Sequence, residues 1–137
     1  CSALSTLSIT NVQSIGHYAF CGCTQITTIT FDSTMKTLGQ YSFKGCTSLP
    51  STLTLPSNLQ TIGIESLAGC TSINTVEYPR SITSNKPNTF TDCINLKTIR
   101  ITGSGEMQSY SNQQQPWYTI MSQITTVEFE SSISSVG

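Results

Sequence analysis

The chain has 137 residues and a formal net charge of −1, a length for one domain and a charge that excludes nucleic acid or an anionic membrane surface as partner. Only 9% of residues are charged, against about 25% in ordinary soluble domains. Its 21 Ser and 22 Thr supply the polarity instead, which suits strands and turns and excludes a charged helical bundle.

Taken in chain order, one phrase returns again and again. Cys1, Cys23, Cys46, Cys70 and Cys93 follow one another at spacings of 22, 23, 24 and 23. They open "CSALSTLSI", "CTQITTITF", "CTSLPSTLTL", "CTSINTVEY" and "CINLKTIRI". A sixth copy, "MSQITTVEF", has Met121 in the cysteine's place, and the spacing of 24 comes from one extra residue in "SLPSTL". Between these lies a second phrase: "VQSIGHYAFCGC", "MKTLGQYSFKGC", "LQTIGIESLAGC" and "ITSNKPNTFTDC". The closing "ISSVG" starts a further copy, so 1–137 is expected to be a single repeat domain cut from a longer chain, with an insertion at about 102–117.

A unit of this length cannot bury its own apolar face, but stacked units can bury a continuous core. The predicted fold is a β-rich solenoid of about 23-residue units. Each unit holds one parallel strand, a short return strand and a short helical or 3₁₀ turn. The alternation in "IxI" has the period of a strand. It points Leu7/Ile9, Ile29/Phe31, Leu53/Leu55, Val76/Tyr78, Ile99/Ile101 and Val127/Phe129 inward. Turn residues Thr10, Asp32, Pro56 and Pro79 end the strands. "VxxIG" supplies the return strand, and Gly16, Gly39 and Gly63 are expected to adopt a backbone conformation that other residues adopt at a cost. Asn85, Lys86 and Pro87 replace the Ile-Gly-x residues in one unit, which predicts a looser return strand there.

The motif "SIGHYAFCGCTQITTITF" resembles the BspA-like, or Treponema pallidum-type, leucine-rich repeats. The resemblance covers nearly the whole chain, including "ITGSGEMQSYSNQQQPWY" at 101–118. It implies a leucine-rich-repeat solenoid on the surface of, or secreted by, mucosa-dwelling bacteria or protozoa. It also implies adhesion to host cells, host matrix proteins or other microbial surface proteins. The motif contains no catalytic residues, so the resemblance implies no enzyme and no cofactor.

The cluster "HYAFCGC" invites a thiol or metal reading, and its sister units argue against one. The position of His17 holds Gln40, Ile64 and Pro87 elsewhere, and that of Cys21 holds Lys44, Ala68 and Thr91. Positions so variable read as solvent-exposed. The Cys23 position, by contrast, reads as buried, where cysteine behaves as a small hydrophobe. Zinc needs about four convergent ligands, and this cluster offers three that point apart. Neighbouring thiols of the column are near enough for disulfides, but parallel side chains rarely have the right dihedral, so reduced thiols are expected. "TGSGE" is no nucleophile elbow, and a second histidine to act as base is lacking. Its glycines also lack the setting and the lysine of a phosphate-binding loop. None of the seven Asn begins an Asn-X-Ser/Thr sequon.

Binding chemistry is therefore sought on the outward strand residues. The central outward column is Ser8, Thr30, Thr54, Glu77, Arg100 and Glu128. Beside it run Thr6, Thr28, Thr52, Thr75, Thr98 and Thr126. Candidate contacts for a protein ligand are Thr28, Thr30, Thr54, Glu77, Arg100 and Glu128, together with Trp117, whose place in the Ala position of the motif fits core cover and an exposed aromatic anchor equally. Tyr118 takes the Phe position of the motif and is expected in the core. The competing expectation is a passive stalk that presents other domains, which the uniform Thr face of the first units favours. No direct membrane insertion is expected of this segment.

Overall fold

The computed structural model describes residue 1, residues 3–104 and residues 114–130. Most of the 102–117 insertion, and "ISSVG", lie outside the described residues.

The period-2 phrases form parallel strands. β1 (Thr6–Ile9) pairs with β3 (Thr28–Phe31). β5 (Thr52–Thr54), β7 (Thr75–Pro79), β8 (Thr98–Thr102) and β9 (Thr126–Phe129) form a second run in that order. The return strands β2 (Ser14–Ile15), β4 (Thr37–Leu38) and β6 (Thr61–Ile62) form a separate parallel sheet. The unit with Asn85-Lys86-Pro87 contributes only a single bridge, from Ser84 to Thr61. This is the loosening expected of a return strand without its core aliphatic residue.

The core lies between these layers. Leu53, Val76, Tyr78, Ile99 and Ile101 are almost fully buried, as the alternation predicts. Leu7, Ile29 and Phe31 are half-buried. Val127 and Phe129, expected inward, are 47% and 42% exposed. They sit on the last described strand, whose side away from β8 has no described neighbour.

The turn phrase is neither an α-helix nor a 3₁₀ helix in the first units. The N–H groups of Ala19, Cys21 and Cys23 donate three residues back, to Gly16, Tyr18 and Phe20. Those of Tyr18, Phe20 and Gly22 donate across to Gln40, Ser42 and Lys44 of the next unit. Tyr18 at φ 59° and Gly22 at φ 72° break the right-handed course, since a left-handed residue cannot continue an α-helix. Every second N–H is thereby freed to bond the neighbouring unit. Among the described residues, the one 3₁₀ segment is Tyr118–Gln123.

The glycine expectation needs correction. Gly22, Gly45 and Gly69, each just before a column cysteine, have positive φ, as does Gly103, and Gly16, Gly39 and Gly63 do not. Gly39 and Gly63 are needed for close approach instead. A Cβ on Gly39 would lie 2.7 Å from the Ile15 carbonyl oxygen, and one on Gly63 would lie 2.6 Å from the Gln40 nitrogen. A Cβ on Gly16 would meet nothing within 4 Å.

The strand face is interrupted once. β3 and β5 belong to consecutive units, yet no backbone hydrogen bond joins them. No Cα of β3 lies within 8 Å of a Cα of β5, against about 4.8 Å for paired strands. The cause is visible at the start of each strand. The residue after the core aliphatic donates its N–H to the preceding unit: Thr27 to Ser5, Asn74 to Ser51, Lys97 to Asn74 and Thr125 to Lys97. In the remaining unit that residue is Pro50, which has no N–H, and it comes with the extra residue of "SLPSTL". The return sheet runs on unbroken through the same units, with β4 paired to β6.

Candidate functional site

The parallel register builds the outward columns directly. Thr6 pairs with Thr28, and Ser8 with Thr30. Across the second run, Thr52, Thr75, Thr98 and Thr126 align, as do Thr54, Glu77, Arg100 and Glu128. Thr28, Thr30, Thr54, Arg100 and Glu128 are exposed, and Glu77 is intermediate. Because of the break, Thr28 and Thr30 stand on one bank and the other four residues on the opposite bank.

The central row is partly bonded. The Thr54 hydroxyl donates to Glu77 Oε1 at 2.9 Å. Arg100 Nη1 lies 3.9 Å from Glu77 Oε2, a long, exposed pair of small net value. The expected ladder is therefore closed between Glu77 and Arg100, while Glu128 lies beside Arg100 in register without an ion pair to it. The carboxylate of Glu130 accepts from the Gly103 N–H at 2.8 Å.

Trp117 does not join this face. It is 8% exposed and packs edge-on against Tyr78, with ring centroids 5.6 Å apart. Tyr118, expected in the core, is 36% exposed, and Met121 in the cysteine position is 51% exposed. The 3₁₀ segment shifts the inward positions, so Trp117 and Ile120 fill the core instead.

At the thiol cluster, His17 and Cys21 are exposed as expected. The His17 ring is engaged, with Nδ1 accepting from the Gln40 N–H at 3.0 Å. The variable position of Cys21 is not uniformly exposed, because Ala68 there is buried. Cys46, Cys70 and Cys93 are buried, and they are more than small hydrophobes. Their thiols donate to the carbonyls of Phe20 at 3.1 Å, Phe43 at 3.2 Å and Leu67 at 3.0 Å. Each carbonyl belongs to the core residue of the preceding unit's turn. Burial pushes the Cys46 thiol up to about 11, while the neighbouring Cys93 and burial push Cys70 well up. Cys46 and Cys70 are therefore neutral donors, whereas the hydrogen bond with Cys70 lowers Cys93. Cys1 and Cys23 depart from the expectation of reduced thiols: they form a disulfide across a Cα separation of 5.0 Å, within the range such a bond accepts. Among the described residues, no three His, Cys, Asp or Glu converge as a metal site, and no helix is long and apolar enough to cross a membrane.

Sequence reading missed an aromatic stack on the turns, exposed at Tyr18 and half-buried at Tyr41. Tyr18 and Tyr41 stack at 4.8 Å. Lys44 lies 5.2 Å from the Tyr41 ring centre and pairs with Glu65 at 2.5 Å. The signal was the tyrosine at the same position of consecutive units.

Residues 1–116 match the BspA type leucine rich repeat region, in six copies. The chain belongs to the BspA-type leucine-rich repeat family. No curated protein matches it. Among solved structures, a leucine-rich repeat protein from Bacteroides ovatus is similar at TM-score 0.73 and 23% identity, covering 95% of this chain and 37% of that one. The leucine-rich repeat protein of T. pallidum is similar at TM-score 0.51 and 19% identity, covering 94% of this chain and 71% of that one. The chain thus spans 37% of the length of the Bacteroides protein. At these identities the likeness shows the BspA-type solenoid fold.

Proposed function

We propose that this BspA-type repeat domain is a protein-binding module of a cell-surface or secreted adhesin. Its partner is a host surface or matrix protein, or another microbial surface protein. Thr28, Thr30, Thr54, Glu77, Arg100 and Glu128 form the contact face. The observation that carries this reading is the strict register of Thr54, Glu77, Arg100 and Glu128. It places a hydroxyl and alternating charges in one row on the outward strand face, and repeat solenoids bind through extended faces of stacked units. Complementary charge across an interface sets partner choice and association rate more than affinity.

The test is capture of matrix proteins and host-cell extract by the chain, compared with Arg100→Glu. Reversing the centre of the row should slow association by about tenfold and weaken its salt dependence. Equal capture by both chains would remove the row from the interface. A second reading, a passive stalk, is favoured by the uniform hydroxyls of the first strands. It predicts no capture by this chain, with capture by a longer protein that contains it.

A further inference from the structure

The break between β3 and β5 is a slot bounded by two strand edges. The Asp32 N–H donates to Ile9 of β1. Backbone groups of a strand alternate in direction, so those of Ile29 and Phe31 point away from β1, into the gap. On the opposite bank the Leu55 N–H donates to Glu77 of β7. By the same alternation, the backbone groups of Thr52 and Thr54 point into the gap. The Thr27 carbonyl, whose counterparts each accept from the next unit, has no such donor in Pro50.

The slot encloses about 420 Å³. Ile29, Phe31, Leu55 and Pro56 are among its lining, and Asp32 and Ser57 stand at one end. Phe31 is held edge-on against Phe43, with centroids 6.2 Å apart. Ile29 and Phe31 remain half-buried while Ile99 and Ile101 on β8 are covered. The difference is a missing neighbour. The banks stand more than 8 Å apart, and a strand seated between them would need about 9–10 Å, twice the normal spacing.

We infer that the slot between β3 and β5 is a strand-acceptor site, which takes an extended segment of a partner polypeptide by pairing with both edges. The walls decide the occupant's chemistry. Unpaired donors and acceptors with a two-residue repeat are satisfied only by another extended backbone, the mode of β-augmentation. The apolar floor calls for alternate β-branched or aliphatic residues. The hydroxyls of Thr30 and Thr54 along the slot call for polar residues between them. Asp32 accepts from the Asn11 N–H at 2.8 Å and from Thr34, which keeps its carboxylate charged, so a basic residue fits beside it. A proline in the occupant would break the pairing. The inference rests on the protein-binding reading and places the contact at the gap in that face rather than along its charged row.

The probe is the capped peptide Lys-Thr-Ile-Arg-Ile-Thr, the sequence of residues 97–102. Within the chain, that sequence already sits between two parallel strands, β7 and β9. Titrated into the whole chain, it should bind saturably and slow amide exchange at Ile29, Phe31, Thr52 and Thr54. N-methylation of the peptide at alternate residues should weaken binding by about tenfold or more. Deleting Pro50 returns an N–H to the junction and should close the slot and abolish binding. Thr54→Pro removes one bank's backbone donor, leaves the β5–β7 backbone ladder in place while losing the hydroxyl's bond to Glu77, and should do the same with cooperative unfolding kept. No saturable binding at about 1 mM peptide would overturn the inference, as would binding indifferent to N-methylation and to both variants. Concentration-dependent dimerisation lost on deleting Pro50 would overturn it too, because the occupant would be a second copy. Peptide binding that survives Arg100→Glu, alongside unchanged matrix capture, would remove the charged row and leave the slot standing.

Discussion

A thiol in the column does two jobs at one position. It fills a small core site, and it gives a second donor to a buried turn carbonyl that already accepts one N–H. Cys70 is fully buried and donates to Phe43. Cys70→Ala loses the donor and opens a small void, and should cost about 2 kcal/mol in chemical denaturation. Cys21→Ala, at an exposed thiol, should stay within about 0.5 kcal/mol. Thiol titration in denaturant without reductant should count four groups, Cys21, Cys46, Cys70 and Cys93. In the native state only Cys21 should react quickly, since the other three thiols are buried away from a reagent. The glycines divide as sharply. Gly39→Ala drives a methyl group into the backbone of the preceding unit and should cost more than about 2 kcal/mol. Gly16→Ala meets open space and should be neutral or slightly stabilising.

Among the elements, the turn phrase shows how one pattern gives two structures. With a left-handed residue at Tyr18, Tyr41 or Glu65, the turn opens sideways and bonds its neighbour. In the last unit the chain winds into a 3₁₀ segment, and Gln123 caps the carbonyls of Cys93 and Leu96 at 2.6 Å and 2.9 Å. The ring that fills the core then comes from Trp117. Trp117→Ala should cost about 3 kcal/mol or more, with loss of the buried fluorescence signal. Tyr118→Ala should cost well under 1 kcal/mol. The opposite ranking would restore the motif's own register to this unit.

For the whole molecule, pH dependence follows from the buried thiols. Burial raises Cys46 from its ordinary value to about 11, and Cys70 is raised as well. A raised folded-state value gives stability that is complete below the unfolded-state pKa. Above about pH 8.5 the unfolded chain loses those protons first. Stability should therefore fall as pH rises towards 11, and Cys46→Ala should flatten that fall in urea titrations from neutral to alkaline pH. On the acid side, hydrogen bonds from Thr34 and from the Asn11 backbone lower Asp32. Its contribution is present at neutral pH and is lost as pH falls through its folded-state value. Asp32→Asn should reduce acid sensitivity.

Sequence alone determined the 23-residue stack, the inward and outward columns and the weakened return strand at Asn85. These follow from period-2 alternation and repetition, which every unit states again. Thr28, Thr30, Thr54, Glu77, Arg100 and Glu128 were legible as a face for the same reason. Tertiary structure decided whatever depends on a distance between units. The extra residue near Pro50 was visible in the sequence, but a missing N–H opens the sheet only because Thr27 of the preceding unit waits for it. Gly39 is required because Ile15 and Gly16 press against it, not because of its own φ. Trp117 went inward because Tyr78 offered a ring to pack on, and Cys1 met Cys23 because stacking brought their Cα atoms to 5.0 Å. A repeated pattern specifies what each unit is, and only the contact between two units specifies where they part.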